Sequence, residues 1–544
     1  MDKNKVIWDI IGTYFKDNPD FAVKHHLNSY NDFIEKDIPQ ILKERNPIRI
    51  MKEMDDDKNI KDYRYKMELY IGGKDGNRIY YGKPIIYDNK NQHYMFPNEA
   101  RLRNMTYGVT IHYDVEVDIT LLLDNDDEEK TREKYKLHKE TIILEKVYLG
   151  RFPIMLRSKL CVLKDLAQEV RFNVGECRDD NGGYFIIDGK EKVIVSQEKF
   201  ADNMLYIKKN KEDDKYSYSA EIRSVSDDAS KPIRTLSVRI EAESGTHKHQ
   251  NIVVNVPNIR KPVPLFILMR ALGVISDYDI IETCLLDMDK NESFLNYFKP
   301  SVYDAGFIFT QEAALKYLST LTKGKTGVIS VMEILMNYFL PHIGELNFRE
   351  KSLYLGYIVL RLLRVYSGLE KPTDRDSYKY KRIENSGILL YQLFREYYIL
   401  QQREITLVLD KEYTYKGTDV KYKDLHFKNL LTDNVLRVFK NRKVEEGFRR
   451  AFKGNWGSEA HTKRAGVVQD LNRLSFFGSL CHMRKVNLPL DKSAKIREPR
   501  LLHPTQWGII CPIHSPDGGN CGLHKHLSIS NTITSGCNSK PYIK

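Results

Sequence analysis

The chain has 544 residues, of which 41% are hydrophobic, and its 86 lysines and arginines against 74 acidic residues give a formal net charge of +12. One hydrophobic core rarely grows beyond about 250–300 residues, so this length predicts several domains, and the apolar content excludes a disordered chain. No apolar run approaches the ~18 residues of a transmembrane helix, which excludes a membrane-spanning protein. The positive charge favours an anionic partner, either nucleic acid or a membrane surface.

Two further features point to the inside of a cell. The first residues, MDKNKVIWDIIGTYF, lack the apolar core and the cleavage site of a secretory signal. The cysteines are odd in number and scattered, which is typical of reduced, mostly buried thiols rather than of a disulfide framework. They stand at positions 161, 177, 284, 481, 511, 521 and 537.

The first 200 residues predict two helices followed by strands. Helical periodicity covers Val6 to Phe15 and Leu27 to Leu42, and the Tyr- and Lys-rich segment after Met51 favours strands. Strict alternation predicts a half-buried strand from Gly108 to Leu123. The strand ends at an acidic run, Asp124 to Glu129, which we interpret as a solvated loop.

Extended structure continues after the acidic run. Thr141 to Leu156 is predicted to be a strand with an edge or bend at Pro153. Tyr184 to Val195 is predicted to be a β-hairpin, because Asp188-Gly189 is a turn dipeptide whose geometry matches strand twist.

A polar break, Lys208 to Asp214, indicates a domain boundary near residue 206. Strands and then helices are predicted beyond it, and the charged linker GLEKPTDRDSYKYKR closes this unit near residue 370. The strands are expected at Leu236 to Ala242 and Asn251 to Val256, and the helices at Pro264 to Leu272, Thr310 to Thr320, Val328 to Phe339, Leu353 to Tyr366, Gly387 to Gln401 and Lys428 to Phe439.

Residues 453 to 530 display cations between turn residues and short apolar runs. Gly454-Asn455-Trp456-Gly457 predicts a turn. A helix is predicted from about Thr462 to Arg484, with Arg464 and Arg473 on its outer side. Its core-facing residues would be Val467, Leu471, Leu474 and Phe477.

A polar loop from Pro489 to Ile496 follows and carries Lys492 and Lys495. Arg497 and Arg500 then bracket Pro499, which presents closely spaced guanidinium groups suited to phosphate. Six Lys or Arg residues stand against two acids between Arg484 and Arg500. A solvated loop would explain any single cation, but the excess favours contact with a polyanion.

A second interpretation concerns metal. Cys511 and His514, then Cys521 and His524, repeat a Cys-x2-His pattern with six residues between the two pairs. Such soft ligands at this spacing could hold zinc.

Several long motifs resemble one family. The motifs GNWG, RAGVVQDLNR, PRLLHPTQWG and CPIHSPDGGNCGL are very similar to the fork region of the second-largest, beta-type subunit of multisubunit DNA-directed RNA polymerases. The resemblance is nearest to the eukaryotic RNA polymerase II kind and its relatives in large DNA viruses. It extends through PNEARLRNMTY, LGRFPIMLRSKLC and GGYFIIDGKEKVIVSQE, and so over nearly the whole chain.

The resemblance implies a mixed α/β (α+β), multidomain fold with the family's protrusion, lobe and fork. The protrusion would comprise 1–205 and 371–450, with the lobe inserted at 206–370. The fork would comprise 451–528, and 529–544 would begin the next region. The expected compartment is the nucleus, or the virion and host cytoplasm if the source is viral.

The resemblance also implies roles for the cations. The GNWG loop up to Arg464 would lie against the RNA–DNA hybrid, and Lys492 and Lys495 would contact phosphates where downstream DNA separates. Arg484 and Lys485 would contact the nucleic-acid backbone. Residues implied to line the path near the active centre are Arg500, Gln506 and Asp517, and the full set of implied nucleic-acid contacts is Arg464, Arg473, Arg484, Lys485, Lys492, Lys495, Arg497 and Arg500.

No catalytic or metal-binding residue is assigned to this chain. In the family, Mg²⁺ is held by an Asp-x-Asp-Gly-Asp cluster of the largest subunit, and nothing here matches that pattern. The chain ends at TITSGCNSKPYIK, so we expect the amino-terminal half of the subunit. Expected partners are the largest subunit, a carboxy-terminal half, smaller subunits, template DNA and nascent RNA, but no membrane. The alternative is a stand-alone basic nucleic-acid-binding protein with a zinc knuckle at 511–524.

Overall fold

The computed structural model describes residues 3–55, 62–88, 91–124, 135–226, 233–243, 250–324, 327–416, 422–458, 462–493 and 496–534. Helices and several sheets share these residues, which confirms the mixed α/β, multidomain class. The chain divides into two units, one comprising Met1–Lys199 with Ile383–Lys544 and the other Phe200–Arg382. The finer division into protrusion, lobe and fork regions stays a prediction. Within the described ranges, no helix combines the length and the apolar character needed to cross a bilayer.

The α-helices are Lys3–Asp17, Lys24–Asp32, Ile38–Arg45, Pro97–Leu102, Gln168–Asn173, Leu265–Ala271, Asp277–Leu285, Leu295–Asp304, Gln311–Thr320, Val328–Asn337, Phe348–Tyr366, Ser386–Lys416, Asn429–Thr432, Val435–Val438, Lys443–Phe452 and Phe476–Met483. The strands are Ile48–Asp55, Asp62–Ile71, Ile79–Tyr81, Ile85–Asp88, Asn91–Tyr94, Gly108–Asp124, Tyr135–Pro153, Phe185–Ile187, Lys190–Ile194, Ser196–Phe200, Leu205–Lys209, Tyr216–Ser224, Arg234–Glu241, Ile252–Asn255, Val263–Pro264, Lys381–Glu384, Val468–Asp470, Lys485–Asn487 and His524–His526.

The larger unit is built on an antiparallel sheet whose longest strands are Gly108–Asp124 and Tyr135–Pro153. Alternate residues of the first strand, from Val109 to Leu121, are buried, as its sequence pattern predicted. The second strand ends at Pro153, where the bend was expected. Most of the acidic run from Asp124 to Glu129 lies outside the described residues.

A long helix, Ser386–Lys416, runs through the core of this unit. Its Phe394 ring lies 6.2 Å from each of the rings of Phe33, Phe152 and Phe448, so one aromatic side chain joins a helix, a strand and a π-helical turn around it. A helix was predicted from Gly387 to Gln401, and the observed helix includes this range but extends to Lys416. The helix predicted from Lys428 to Phe439 is instead two short helices.

The hairpin predicted at Tyr184 to Val195 is confirmed. Ile187 pairs with Lys190, and the two turn residues Asp188 and Gly189 have φ of 48° and 77°, the left-handed geometry of a tight hairpin turn. Strand Val468–Asp470 adds to this hairpin by pairing antiparallel with Lys192–Ile194.

That pairing makes the helix predicted from Thr462 to Arg484 wrong. Gly466 has φ of 73°, which interrupts a helix, and only Phe476–Met483 is helical. Val467 and Leu471 are buried as expected, but Leu474 is 94% exposed and Phe477 is 76% exposed. Local periodicity was overridden by strand pairing with a distant hairpin.

The smaller unit, Phe200–Arg382, holds a five-stranded antiparallel sheet and a helical layer. The strands expected at Leu236 to Ala242 and Asn251 to Val256 are present. The break predicted from Lys208 to Asp214 begins slightly later, since the first strand continues to Lys209. The four helices predicted here are also present, and Thr310 caps one of them by accepting a hydrogen bond from the Ala313 amide.

Candidate nucleic-acid interface

The GNWG loop, residues 454–457, is fixed to the long helix rather than hanging free. Gly454 and Gly457 have φ of 105° and 88°, so both use a backbone conformation that favours glycine. Trp456 is buried and forms an isolated β-bridge with Arg464. The turn predicted for this motif is thus present only at Gly454, because Trp456 already belongs to the bridge.

A single carboxylate on the long helix holds both ends of the segment that follows. Glu396 Oε1 accepts hydrogen bonds from the Ser458 amide at 2.9 Å and from the Thr462 hydroxyl at 2.6 Å, and the Ser458 hydroxyl also donates to it. Hydrogen bonds to a charged acceptor are stronger than neutral ones, so Glu396 anchors this loop. Residues 459–461 lie outside the described ranges.

A groove of about 890 Å³ opens beside the GNWG loop. It lies between this loop and the helices Ser386–Lys416 and Lys443–Phe452. Cations outnumber acids along its walls: the cations are Arg403, Lys443, Arg450, Lys463 and Arg464, and the acids are Glu404 and Glu446. Arg403, Lys443 and Arg450 were not identified from the sequence, because a lone cation on a helix indicates only a solvated face.

Arg464 lies on this wall and is already paired. It donates to Glu384 Oε2 at 2.8 Å and to Gln392 Oε1 at 3.3 Å. Burial raises the pKa of Glu384, but the Arg464 guanidinium, together with Lys199 and Gln392, holds that pKa below its ordinary value. Arg464 therefore shapes the loop while staying at the edge of the groove.

Arg473 belongs to a second network. Its guanidinium donates to Glu191 at 2.7 Å, to Asp180 at 3.2 Å and to the Tyr184 hydroxyl at 3.0 Å. Arg101 also donates to Glu191 and Tyr184, at 2.9 and 2.8 Å. The hydrogen bonds to Glu191 raise the pKa of Arg473. This cation therefore ties the strand Lys190–Ile194 to the turn before helix Phe476–Met483.

Arg484 connects three separate parts of the chain. It donates to the Ala22 carbonyl at 3.3 Å and to the carbonyls of Ser528 and Asn531 at 2.7 and 3.4 Å. Its guanidinium also lies 5.5 Å from the centre of the Phe21 ring. Burial lowers the pKa of Arg484, consistent with a structural cation surrounded by backbone oxygens.

Lys485 follows on a short strand that pairs parallel with Ser196–Gln197 and antiparallel with His524–His526. Burial lowers the pKa of Lys485, and the nearby charge of Lys492 lowers it further. Lys492 itself is exposed in the loop beyond this strand. The two lysines thus form a local concentration of positive charge.

Arg500 holds the loop of Lys492 against the turn at 518–521. It donates to the carbonyls of Gly519, Cys521 and Lys492 at 2.7, 3.2 and 3.1 Å. Arg497, three residues earlier, is exposed. Lys495 lies outside the described residues, so its predicted contact stays a prediction.

The three residues expected to line the active-centre path occupy different settings. Gln506 is buried in a short 3₁₀ turn, and Asp517 is exposed just before the turn 518–520. Arg500 lies between these extremes and is engaged by backbone oxygens. Their role near an active centre stays a prediction.

The zinc ligand set does not assemble. Across the residues that the structure describes, no three His, Cys, Asp or Glu side chains are grouped so as to hold a metal ion. His514 instead stacks on His526, with ring centres 3.5 Å apart, and the Cys511 amide donates to the His526 carbonyl. The stacked pair was not foreseen, because His526 stands outside the Cys-x2-His pattern.

Comparison with known proteins gives a consistent result. The family described as RNA polymerase beta subunit matches residues 21–430, and the family described as RNA polymerase Rpb2, domain 3 matches residues 469–533. The chain is 34% identical over 549 residues to DNA-directed RNA polymerase II subunit RPB2 of Encephalitozoon cuniculi, covering 99% of this chain and 44% of the relative. It is 33% identical over 555 residues to DNA-directed RNA polymerase II subunit 2 of Arabidopsis thaliana, with the same coverage of 99% and 44%.

An archaeal relative has nearly the same extent as this chain. DNA-directed RNA polymerase subunit Rpo2N of Methanothermobacter thermautotrophicus is 31% identical over 553 residues, which cover 98% of this chain and 95% of the relative. The chain thus spans less than half the length of the eukaryotic relatives but almost all of the archaeal one. These matches do not favour the alternative of a stand-alone binding protein.

Proposed function

The chain belongs to the RNA polymerase beta subunit family, and on that basis we propose that it forms the amino-terminal part of the second-largest subunit of a DNA-directed RNA polymerase. In this proposal it supplies a wall of the DNA cleft and the fork loops beside the RNA–DNA hybrid. The observation that carries the proposal is the match over nearly the full length of both this chain and the archaeal subunit. For a eukaryotic source, the working compartment would be the nucleus.

The reaction would be template-directed nucleotidyl transfer by the assembled enzyme. Two-metal chemistry of this kind needs carboxylate-held Mg²⁺ to stabilise charge on the attacking and leaving oxygens. We propose that the largest subunit holds this metal and that the present chain contributes no complete catalytic centre. Its partners would be that subunit, the carboxy-terminal half, smaller subunits, template DNA and nascent RNA.

The cations of the interface would divide into two groups. The guanidinium groups of Arg464, Arg473 and Arg484 donate hydrogen bonds to oxygens of this chain, so these three residues would position loops. Lys492 and Arg497 are exposed and would contact phosphates. Contacts to phosphate position a strand without reading its sequence, which suits an enzyme that must transcribe any template.

The groove beside the GNWG loop would extend the phosphate-binding surface. Arg403, Arg450 and Lys463 line it together with Arg464. Because phosphate neutralisation releases counterions, binding to an RNA–DNA hybrid should weaken steeply with salt. The logarithm of the binding constant should fall linearly with the logarithm of the salt concentration, with a slope of roughly −0.7 to −0.9 per phosphate contact. Lys492→Ala should make that slope shallower by the contribution of about one phosphate contact, whereas Lys290→Ala on the smaller unit should leave the slope unchanged.

The direct test is affinity purification of the tagged chain from its native source, followed by mass spectrometry. The expected result is recovery of a largest polymerase subunit together with a polypeptide equivalent to the rest of the second-largest subunit. Recovery of the chain alone, or bound only to nucleic acid, would refute the proposal.

A further inference from the structure

The helix Lys3–Asp17 presents its apolar side chains to solvent. Trp8 is 71% exposed and Ile10 is 64% exposed, and the other large apolar residues of the helix are also exposed. These are Val6, Ile7, Ile11, Tyr14 and Phe15. A helix of this composition normally buries such a face against a core.

The apolar residues fall on one side. With 3.6 residues per turn, the seven side chains occupy an arc of roughly 200°, and Lys5, Asp9, Gly12, Thr13 and Lys16 fill the opposite side. The helix thus has one broad apolar face, called the amino-terminal apolar face below. Contiguous exposed apolar patches of this kind mark interaction sites.

One end of this helix is anchored. The rings of Tyr14 and Phe15 pack edge-on against Phe21, with centres 5.7 and 5.5 Å apart. Phe21 in turn lies under the Arg484 guanidinium. The base of the helix is therefore joined to the body of the unit, while its apolar face remains uncovered by the residues that the structure describes.

Residues 528–531 lie beside this base of the helix. Arg484 donates to the carbonyl of Ala22 on one side and to those of Ser528 and Asn531 on the other. One guanidinium therefore holds residues 21–22 and 528–531 together. Residues that follow Asn531 therefore start next to the anchored end of the helix, and the remaining part of the subunit would follow residue 544, within about 13 residues of that point.

The relatives indicate how much polypeptide that is. The chain matches 44% of the length of the Encephalitozoon cuniculi and Arabidopsis thaliana subunits, so more than half of each relative has no counterpart here. The archaeal Rpo2N relative is matched over 95% of its length. A chain of this extent therefore exists as a separate subunit among the relatives.

We propose that the amino-terminal apolar face is the docking site for the polypeptide equivalent to the remaining, carboxy-terminal part of the eukaryotic relatives, whether it continues this chain or is encoded separately. The inference rests on the proposed function and names the surface through which the two halves join. The occupant must offer an apolar groove to receive Ile7, Ile11 and their neighbours.

The charge of the helix favours a protein groove over a lipid surface. Its sequence has three lysines against two aspartates, giving nearly balanced charge. Interfacial membrane helices carry a polar face rich in lysine and arginine that attracts anionic lipid. This helix lacks that excess.

The first test compares two double substitutions in tagged chain co-expressed with the polypeptide from the same source that aligns with the remaining part of the relatives. Ile7→Lys with Ile11→Lys places two lysines on the apolar face and should reduce recovery of that polypeptide at least tenfold. Gly12→Lys with Thr13→Lys adds the same charge on the opposite side, where a Cβ at Gly12 meets no atom within 4 Å, and should leave recovery unchanged. Equal recovery with both variants would overturn the proposal.

A photo-crosslinking residue at Ile10 identifies what covers the face. Crosslinks to the carboxy-terminal polypeptide are expected; crosslinks to lipid, to another subunit or to a second copy of this chain would overturn the docking assignment. Failure of the proposed function and failure of the docking assignment give different results. If the proposed function is wrong, wild-type chain recovers no largest subunit, whereas failure of docking alone leaves that recovery intact and moves the crosslink elsewhere.

Discussion

Lowering the pH from 7 to 5 should destabilise the larger unit through His26. This imidazole is almost fully buried, with Nε2 2.7 Å from the Met483 carbonyl and Nδ1 3.3 Å from Ser386 Oγ. Burial lowers the pKa of His26 to about 4 from 6.5. The unfolded chain therefore binds more protons than the folded chain between these two values, so stability is lost as the pH falls through 6.5 and stops falling below about 4.

The size of the effect follows from the two pKa values. Each unit of difference corresponds to about 1.4 kcal/mol, so His26 can destabilise the unit by at most about 3 kcal/mol. Between pH 7 and pH 5 the loss should be about 2 kcal/mol, because protonation of the unfolded state is then nearly complete and that of the folded state has hardly begun. Other buried histidines add to the loss in the parent protein.

Tryptophan fluorescence during urea unfolding measures this unit selectively. The three tryptophans, at positions 8, 456 and 507, all belong to the larger unit, and Trp456 is buried. His26→Gln keeps an N–H donor for the Met483 carbonyl and should remove about 2 kcal/mol of the loss between pH 7 and 5. His426→Gln, at an exposed position, is the matched control. An unchanged loss in His26→Gln would refute the reasoning.

Three further predictions concern the candidate interface. In the same urea assay, Gly457→Ala should lower the free energy of unfolding by about 1–3 kcal/mol more than Gly454→Ala. Both glycines have positive φ, but only a Cβ at 457 would clash, since it would lie 2.4 Å from the Thr462 carbonyl oxygen. Equal losses of stability would contradict this close approach. Arg484→Lys should destabilise the unit by about 2 kcal/mol, since an ammonium cannot reproduce the planar fork that reaches separate carbonyls, while Arg497→Lys at an exposed position should be nearly neutral. Lys492→Ala with Lys495→Ala should slow elongation by the assembled enzyme while changing the urea midpoint little, with Lys290→Ala plus Lys299→Ala as the control; unchanged elongation would count against the loop assignment.

Elements set by their own residues were predictable from sequence. The strand Gly108–Asp124 follows from alternation within a single stretch, and the hairpin follows from Asp188-Gly189 between two apolar runs. The segment from Thr462 to Arg484 was not predictable in the same way. Its apolar spacing suits a helix, but Val468–Asp470 pairs with Lys192–Ile194, and local spacing carries no information about a partner so far away along the chain.

The candidate site shows the same division. Sequence identified the cations of the interface by their density, but it could not show which carboxylates they contact. Glu384 and Glu191, which engage Arg464 and Arg473, lie far away along the chain. The anchoring of the GNWG loop by Glu396 was missed for the same reason.

The contacts of Arg484 can form only late in the synthesis of the chain. Its guanidinium joins residues 21–22 to 528–531, so these contacts close only after about 500 intervening residues have been made. At roughly 5–20 residues per second, the amino-terminal segment waits on the order of 25–100 s for its partners to emerge from the ribosome. During that interval Phe21 and Ala22 lack the contacts that Arg484 gives them in the folded unit, so this end of the amino-terminal helix is anchored late.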